Sequence, residues 1–374
     1  MTKKLIFICL FMNPHIEPIC HEFHELYGNA FEVLEYGSFE KKREPLGWTS
    51  YQLPYMFHYA DHYDDVINAD YVIYGGVVDS VIRKRIYLNK ITFIMTERPY
   101  KIPTTYKNYL RRLIGSELHF GRCQGHRAYV LCLGSYVPED MLSFGNFKDH
   151  MFIWGYFPKF ISFSDSELHR NHSKPHLLWA GRMIELKHPE IMLSIKKQLD
   201  SQNIPSTVQM IGDGPLLEQL QKQSSIEHLD ISFDGAHPFE YVRKNMSMAD
   251  IFVFSSDRNE GWGVVLNEAM NAGCAPIANR CVGSSQLLIR DGFNGLLCDS
   301  QEEMIRTTVE LASAPDKYQL YGKNAYVSIR DTWNAHEAVL RFVNTIEHDC
   351  SFQYQSGPMS NAELVSKSTS NNCG

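Results

Sequence analysis

Two glutamates in the stretch SSDRNEGWGVVLNEAMNAG, residues 255–273, have the residue type and the surroundings to do chemistry. Glu260 and Glu268 stand eight positions apart. The run DIFVFSS before them has the composition of a buried strand, and GVVLNEAMNAG is typical of a helix that ends at Gly273. Glu260 is therefore predicted in the loop after a strand, and Glu268 inside the following helix.

This loop and helix start could bind an anionic ligand. The free N–H groups of a first helical turn favour phosphate, and Gly261 and Gly263 let such a ligand approach the backbone. Carboxylates on either side of a bound phosphate could accept hydrogen bonds from sugar hydroxyls. The pattern predicts a nucleotide-sugar site, although two glutamates at this spacing also occur by chance.

Two cations follow another apolar run, in LLWAGRMIELKHPE. Arg182 and Lys187 would lie in a turn at the carboxyl edge of a parallel sheet, where ligands usually bind. Together they could neutralise a pyrophosphate, which Arg182 could grip through two nitrogens. The alternative is that both are surface residues at a helix start.

In MIGDGPLLEQL, Gly212 and Gly214 could contact a nucleotide or simply form a tight turn.

The elements that must position these residues repeat one pattern in both halves of the chain. Apolar runs such as LIFICLF, ITFIMTE, HLLWAG and DIFVFSS alternate with helical stretches, which predicts parallel strands covered on both faces. The fold class is α/β, with two doubly wound Rossmann-like domains facing across a cleft. The expected divisions are an acceptor-side domain at 1–170, a nucleotide-sugar domain at 176–330, a helix at 331–350 packing back toward the N-terminal domain, and a disordered tail at 351–374.

Composition excludes several classes of protein. The 374 residues carry a net charge of −7, and the only basic cluster, at 41–43, is flanked by glutamates, so no nucleic-acid partner is expected. Nine cysteines without zinc-like spacing indicate a reducing compartment. The apolar N-terminus favours a buried strand over a signal peptide, and no run reaches the ~20 residues of a membrane span. A cytoplasmic protein is expected, with peripheral contact at the cytoplasmic membrane face left open.

These stretches, with ISFDGAH and DGFNGLLC, resemble the C-terminal domain of the family 4 glycosyltransferases, the retaining GT-B enzymes. The resemblance covers about a third of the chain, at 176–298, and its motifs follow the family's order. Both the E-x7-E and the G-R-x4-K elements are present. EKKREPLGW and WGYFP are similar to segments of bacterial polysaccharide-assembly members.

The resemblance implies a hexosyltransferase with named site residues. Arg182 and Lys187 would hold the donor pyrophosphate, Glu268 the ribose hydroxyls, and Glu260 the transferred sugar. Backbone groups would come from Gly261, Trp262, Gly263, Val264 and Val265, and the base pocket would be lined by Gly235, Ala236 and His237. No metal or other cofactor is expected. The donor would be a UDP sugar, with GDP left open, and the acceptor a saccharide or lipid-linked molecule used in glycan or cell-surface polysaccharide synthesis.

The N-terminal half departs from the family pattern. The sequence Asn-Pro-His at 13–15 replaces a Gly-Gly loop, and Glu97 and Arg98 stand where many members have a histidine near the reacting centre. Either residue could contact acceptor or donor, or form an ion pair between the domains. His15, His21 and His24 lie at helical spacing, but no carboxylate or thiol completes a metal site.

Two other functions stay open at this point. One is a non-catalytic GT-B-fold binding or scaffold protein, which would have no physical need of the four charged residues Arg182, Lys187, Glu260 and Glu268. The other is a nucleotide-sugar epimerase, which would release a free sugar without any acceptor. Slow hydrolysis of the donor separates an enzyme from a scaffold.

Overall fold

A computed structural model describes residues 3–39, 51–99, 123, 125–142, 147–351 and 353–364. The basic cluster at 41–43 and the end of the tail lie outside these residues. The chain forms two compact units. Phe160–Asn334 makes up the second unit, and the described residues before and after it make up the first.

The first unit is built on a seven-stranded parallel sheet. Its strands are β1 Leu5–Cys9, β2 Phe31–Glu35, β3 Met56–His58, β4 Tyr71–Tyr74, β5 Ile91–Glu97, β6 Ala128–Leu133 and β7 Met151–Trp154. They run in the order β3-β2-β1-β4-β5-β6-β7. Strands β1, β4, β6 and β7 are buried along their whole length, as expected when helices cover both faces of a parallel sheet.

Four described helices lie between these strands: α1 Glu17–Tyr27, α2 Tyr63–Asn68, α3 Ser80–Tyr87 and α4 Val137–Leu142. A proline opens α1, where its missing N–H has no intrahelical partner to lose. Asp79 caps α3 by accepting hydrogen bonds from the N–H groups of Val81 and Ile82. Turn chemistry therefore sets the helix starts that follow β4.

The second unit contains a six-stranded parallel sheet. Its strands are β8 His176–Ala180, β9 Thr207–Ile211, β10 Ser232–Gly235, β11 Ile251–Phe254, β12 Ala275–Asn279 and β13 Leu296–Cys298. They run in the order β10-β9-β8-β11-β12-β13. The order reverses between β8 and β11, which makes this pair the topological switch point of the sheet.

The helices of the second unit cover its sheet. They are α5 Asp165–Leu168, α6 Ile191–Ser201, α7 Leu217–Ile226, α8 Phe239–Met248, α9 Val265–Asn271, α10 Ser285–Leu288, α11 Gln301–Ala312 and α12 Pro315–Asp331. The Arg170 guanidinium donates to the carbonyls of Ser247, Ala272 and Gly273, beside the ends of α8 and α9. Arg170, at the boundary between the two predicted domains, is thus bound within the second unit. No helix among the described residues has the length and hydropathy to cross a lipid bilayer.

The chain then returns to the first unit. Helix α13, Ala335–Glu347, places the buried ring of Phe342 against Phe23, Phe93 and Trp154. The prediction of disorder from residue 351 is wrong for residues 353–364. Met359 is fully buried, and its N–H donates to the carbonyl of Ile153 in β7. The polar composition of this segment gave no sign of order, because a few backbone hydrogen bonds and small apolar contacts bind it to the first unit.

Candidate functional site

Lys187 and Glu260 meet at the switch point of the second sheet. Arg182 and Lys187 lie in the loop after β8, and Glu260 lies in the loop after β11, so both loops leave the carboxyl edge of neighbouring strands. Lys187 Nζ is 2.5 Å from Glu260 Oε2, and these side chains are only 14% and 13% exposed. The chain therefore assembles a half-buried ion pair where ligands of such sheets bind.

Hydrogen bonds to backbone carbonyls of the first loop hold the two loops together. The Ser255 hydroxyl donates to the Lys187 carbonyl at 2.6 Å and accepts from Trp179 Nε1 at 3.0 Å. The Asp257 N–H donates to the Leu186 carbonyl at 2.9 Å. Lys187 therefore sits on a fixed backbone, which pre-organises its ammonium group for a ligand.

Arg182 differs from Lys187 in its surroundings. Its side chain is exposed, and no acceptor among the described residues bonds its guanidinium. An incoming anion can therefore engage it without first displacing a carboxylate that the structure records. The loop thus offers one paired and one available cation.

Glycines shape the loop that leads into α9. Gly263 has φ +75°, and a Cβ there would lie 2.3 Å from Cζ of Phe254, so only glycine fits without rearrangement. Trp262 is 1% exposed, and its Nε1 donates to Asn267 Oδ1 at 2.7 Å. Its indole is a core group, which leaves only its backbone for a ligand. The N–H groups of Val264 and Val265 have no recorded acceptor among the described residues.

Glu268 lies on α9 in a more buried position than Glu260. Its side chain is 8% exposed, and Oε1 is 3.5 Å from Nη2 of Arg243 on α8. Arg243 also lies over the ring of Phe239, 3.9 Å from its centroid. Burial raises the pKa of Glu268 to about 7, and Arg243 opposes that rise. The two glutamates therefore have different cationic partners.

We expect Glu268→Gln to stabilise the folded protein above pH 7 and to have little effect below pH 4.5. The folded-state pKa is raised from 4.5 to about 7, so the folded protein holds this proton more tightly than the unfolded chain. The stability of the wild type therefore falls as pH rises through this window, by at most about 3 kcal/mol, and the uncharged glutamine escapes the loss.

Urea unfolding of both proteins from about pH 4 to about pH 8.5 measures this difference. The matched control is Glu310→Gln, because Glu310 is a surface residue that is 70% exposed. A constant offset between wild type and Glu268→Gln at every pH would show that Glu268 does not titrate in this window.

Gly212 serves close packing between the loops after β8 and β9. It has φ +142°, and a Cβ would lie 1.8 Å from the carbonyl oxygen of Gly181. Its N–H donates to the Gly235 carbonyl at 2.8 Å. Gly235, at the end of β10, has φ +76° and faces open space. Ala236 after it is exposed. The ring of His237 stacks on Tyr241 with the ring centroids 3.9 Å apart. The predicted base-pocket residues thus lie beyond β9, two strands from β8.

Glu97 and Arg98 lie in the first unit, at the carboxyl end of β5. Tyr156 donates its hydroxyl to Glu97 Oε1 at 3.2 Å. Arg98 Nε is 3.2 Å from Asp140 Oδ2, so the recorded ion pair of Arg98 forms within the first unit and not between units. Both residues thus have recorded partners inside the first unit.

Arg243 is the site residue that sequence patterns missed. It comes from the middle of α8, 25 residues before its partner Glu268, and no motif marks it. The available signal was weak: a cation on a helix that must pack beside the helix bearing a candidate ligand residue. Only tertiary packing brings α8 and α9 side by side.

Comparisons with known proteins show what this chain is similar to. Residues 161–328 match the family model for glycosyl transferases group 1. An uncharacterized glycosyltransferase of Methanocaldococcus jannaschii is 28% identical over 183 residues, which are 47% of this chain and 45% of that protein. A GDP-mannose-dependent alpha-(1-6)-phosphatidylinositol monomannoside mannosyltransferase of Mycolicibacterium smegmatis is 25% identical over 172 residues, 43% of this chain and 44% of that protein. The chain thus spans less than half the length of these two relatives.

A solved structure extends the likeness of fold. The crystal structure of Anabaena HepE in complex with UDP superposes with a TM-score of 0.69 at 13% identity, covering 92% of this chain and 100% of that one. The predicted class, two Rossmann-like α/β domains of the GT-B type, is confirmed. The second unit is thus similar to the glycosyl transferases group 1 family over residues 161–328.

Proposed function

We propose that this protein is a retaining glycosyltransferase that moves a hexose from a nucleoside diphosphate sugar to a saccharide or lipid-linked acceptor. The proposal favours UDP as the nucleotide and places the reaction in glycan or cell-surface polysaccharide synthesis. One observation carries it: Lys187 and Glu260 meet at the switch point of the sheet in the group 1 domain. Such a site suits a ligand that has both a pyrophosphate and a sugar.

Each charged residue of this unit would bind a different part of the nucleotide-sugar donor. Arg182 and Lys187 would neutralise the pyrophosphate, the first through a bidentate grip and the second as a point charge. Glu260 would then exchange its contact with Lys187 for a hydroxyl of the transferred sugar. Glu268, held by Arg243, would accept from the ribose hydroxyls, and the N–H groups of Val264 and Val265 would add donors for the phosphate.

The reaction follows from these roles. The bond between the anomeric carbon and the phosphate oxygen breaks, and the acceptor oxygen bonds to the same carbon on the same face. The hydroxyl proton of the acceptor leaves with the departing phosphate. Fixed cations and amides stabilise the negative charge that develops on the leaving group, which is the main electrostatic work of such a site. We expect transfer without a metal ion or other cofactor.

Thermal unfolding with UDP, GDP, ADP and CDP tests the proposal. A nucleotide at ~100 times its dissociation constant adds about 2.7 kcal/mol to the unit that binds it, which raises Tm by several degrees. We expect UDP to give the largest shift in the wild type. The relative from Mycolicibacterium smegmatis is named for GDP-mannose, whereas HepE was solved with UDP, so GDP is the direct competitor in this test.

Glu268→Ala and the surface variant Glu310→Ala are measured in parallel. The nucleotide shift should disappear in Glu268→Ala and persist in Glu310→Ala. If no nucleotide stabilises the wild type, the switch-point cluster binds something else and the proposed function is wrong. Binding without any hydrolysis of UDP-glucose would instead favour a non-catalytic protein.

A further inference from the structure

Four tyrosines form a continuous aromatic cluster in the first unit, here named the tyrosine platform: Tyr36, Tyr59, Tyr63 and Tyr74. Ring centroids are 6.2 Å apart for Tyr36 and Tyr74, 6.5 Å for Tyr36 and Tyr59, and 5.2 Å for Tyr59 and Tyr63. Tyr59 and Tyr74 are buried, whereas Tyr36 and Tyr63 are 42% and 44% exposed. The cluster therefore has a buried base and an exposed upper layer.

The platform lies at the carboxyl edge of the first sheet. Tyr36 directly follows β2, and its hydroxyl donates to the carbonyl of Gly75, which directly follows β4. Because β1 lies between β2 and β4, the side chain of Tyr36 crosses the end of β1. The strand order reverses between β1 and β4, so the platform covers the switch point of this sheet, the usual place for a ligand.

Hydrogen bonds fix the rings in place. The Tyr74 hydroxyl donates to the Val77 carbonyl at 2.8 Å, and the Tyr59 hydroxyl donates to Asp79 Oδ2 at 2.8 Å. Burial raises the pKa of Tyr36, Tyr59 and Tyr74, so these hydroxyls stay protonated donors. A ligand would meet rings that are already oriented, which lowers the entropy that binding must lose.

The surroundings of the platform define its ligand. Exposed Leu10 and Val77 continue the apolar surface, and no described lysine or arginine stacks on or bonds to the four tyrosines. Within the part of the chain that the structure describes, a phosphate or sulfate would therefore find no cation in contact with these rings. A lipid chain would be better served by a deep aliphatic groove than by rings that meet edge-on, at 69° for Tyr36 and Tyr59 and 72° for Tyr59 and Tyr63. The C–H face of a neutral pyranose matches a flat, fixed aromatic ring.

We propose that the tyrosine platform binds a neutral pyranose of the acceptor, with Tyr36 as the stacking residue. This inference rests on the proposed function, and it selects a saccharide over a lipid as the group recognised by the first unit. Gly76 is part of the device, because a Cβ there would lie 2.8 Å from the hydroxyl oxygen of Tyr36 and would displace the ring. The absence of a side chain at Gly76 therefore lets the Tyr36 ring keep its position against Tyr74, with 29° between the ring planes.

Saturation-transfer NMR of the full chain tests the platform with neutral mono- to tetrasaccharides of glucose, galactose, mannose and N-acetylglucosamine. We expect at least one saccharide to receive saturation on the C–H protons of one ring face. Tyr36→Ala should weaken its affinity about tenfold, and Gly76→Ala should do the same by moving the ring. Tyr87→Ala is the matched control, since Tyr87 is 50% exposed at the opposite end of α3 and should change nothing.

UDP binding is measured on the same samples, so that the two proposals can fail separately. If UDP binds the wild type and no saccharide does, the platform proposal is overturned and the proposed function stands. If a saccharide binds through Tyr36 and no nucleotide binds, the platform stands and the proposed function is wrong. The platform proposal would also be overturned if saccharide affinities stay within twofold of the wild type in both Tyr36→Ala and Gly76→Ala. Tyr36-dependent binding to zwitterionic phosphatidylcholine vesicles would overturn it as well. Because Gly76→Ala retains the tyrosine, it keeps the test valid if Tyr36→Ala fails to fold.

Discussion

Lys187→Ala is expected to lower the hydrolysis of UDP-glucose by about a thousandfold, which corresponds to about 4 kcal/mol of lost transition-state stabilisation. The Lys187 side chain is only 14% exposed and its backbone is held by Ser255, so no cation from the solvent replaces the ammonium group in the same place. Its loss also leaves the negative charge of Glu260 near the leaving group with no cation from position 187 to offset it. Both effects act in the same direction.

Steady-state hydrolysis of UDP-glucose measures the rate, and circular dichroism verifies the fold of each variant. Lys187→Arg should recover part of the rate, because it restores the charge but not the compact shape of the ammonium. Lys197→Ala is the control, since Lys197 is 67% exposed and pairs with Glu227 on the surface. Hydrolysis by Lys187→Ala within about threefold of the wild type would remove Lys187 from the reaction.

Arg85→Met is expected to destabilise the first unit by about 4 kcal/mol. Arg85 is fully buried on α3 and donates to the carbonyls of Val66, Ala69 and Ile91, among others, and to the Thr92 hydroxyl. Methionine fills a similar volume but leaves these acceptors without a donor. Burial lowers the pKa of Arg85 to about 10, so the guanidinium is still charged at neutral pH.

Calorimetry of the full chain should show the Tm of the first unit falling by about 10 °C in this variant. Lys84→Met is the matched control, because Lys84 is the exposed neighbour of Arg85 on the same helix. UDP binding by the second unit should be preserved at low temperature. An unchanged Tm would mean that water or a shifted backbone satisfies the freed carbonyls.

The strands and the switch-point loops could be predicted from sequence because their signals are local. LIFICLF, HLLWAG and DIFVFSS contain the strands β1, β8 and β11, and parallel strands place their carboxyl ends at one edge, so Lys187 and Glu260 were expected on the same edge. That expectation is confirmed as placement, whereas their roles in catalysis stay predictions. The direct contact between Lys187 Nζ and Glu260 Oε2 at 2.5 Å could not be predicted without knowing that β8 and β11 are neighbours in the sheet.

What sequence reading missed depends on contacts between distant segments. Arg243 reaches Glu268 only because α8 and α9 pack together. Tyr36 follows β2 and Tyr74 ends β4, and nothing local marks them as one surface. The ring of Trp262 stands in a motif typical of ligand contact, yet it points into the core toward Asn267. In each case a contact with a distant segment, which no local pattern fixes, decides where the side chain lies.

The return of the chain to the first unit has a consequence for synthesis on the ribosome. The core around Phe23 and Phe93 is completed by Phe342 of α13, and the edge of β7 is covered by Met359. Both arrive about 200 residues after the last strand of that sheet, a delay of roughly 10–40 s at ordinary elongation rates. The second unit emerges whole and can fold first, while the earlier half waits with exposed apolar surface. Chaperone binding to nascent chains should therefore peak before residue 335 is translated and fall once α13 has left the exit tunnel.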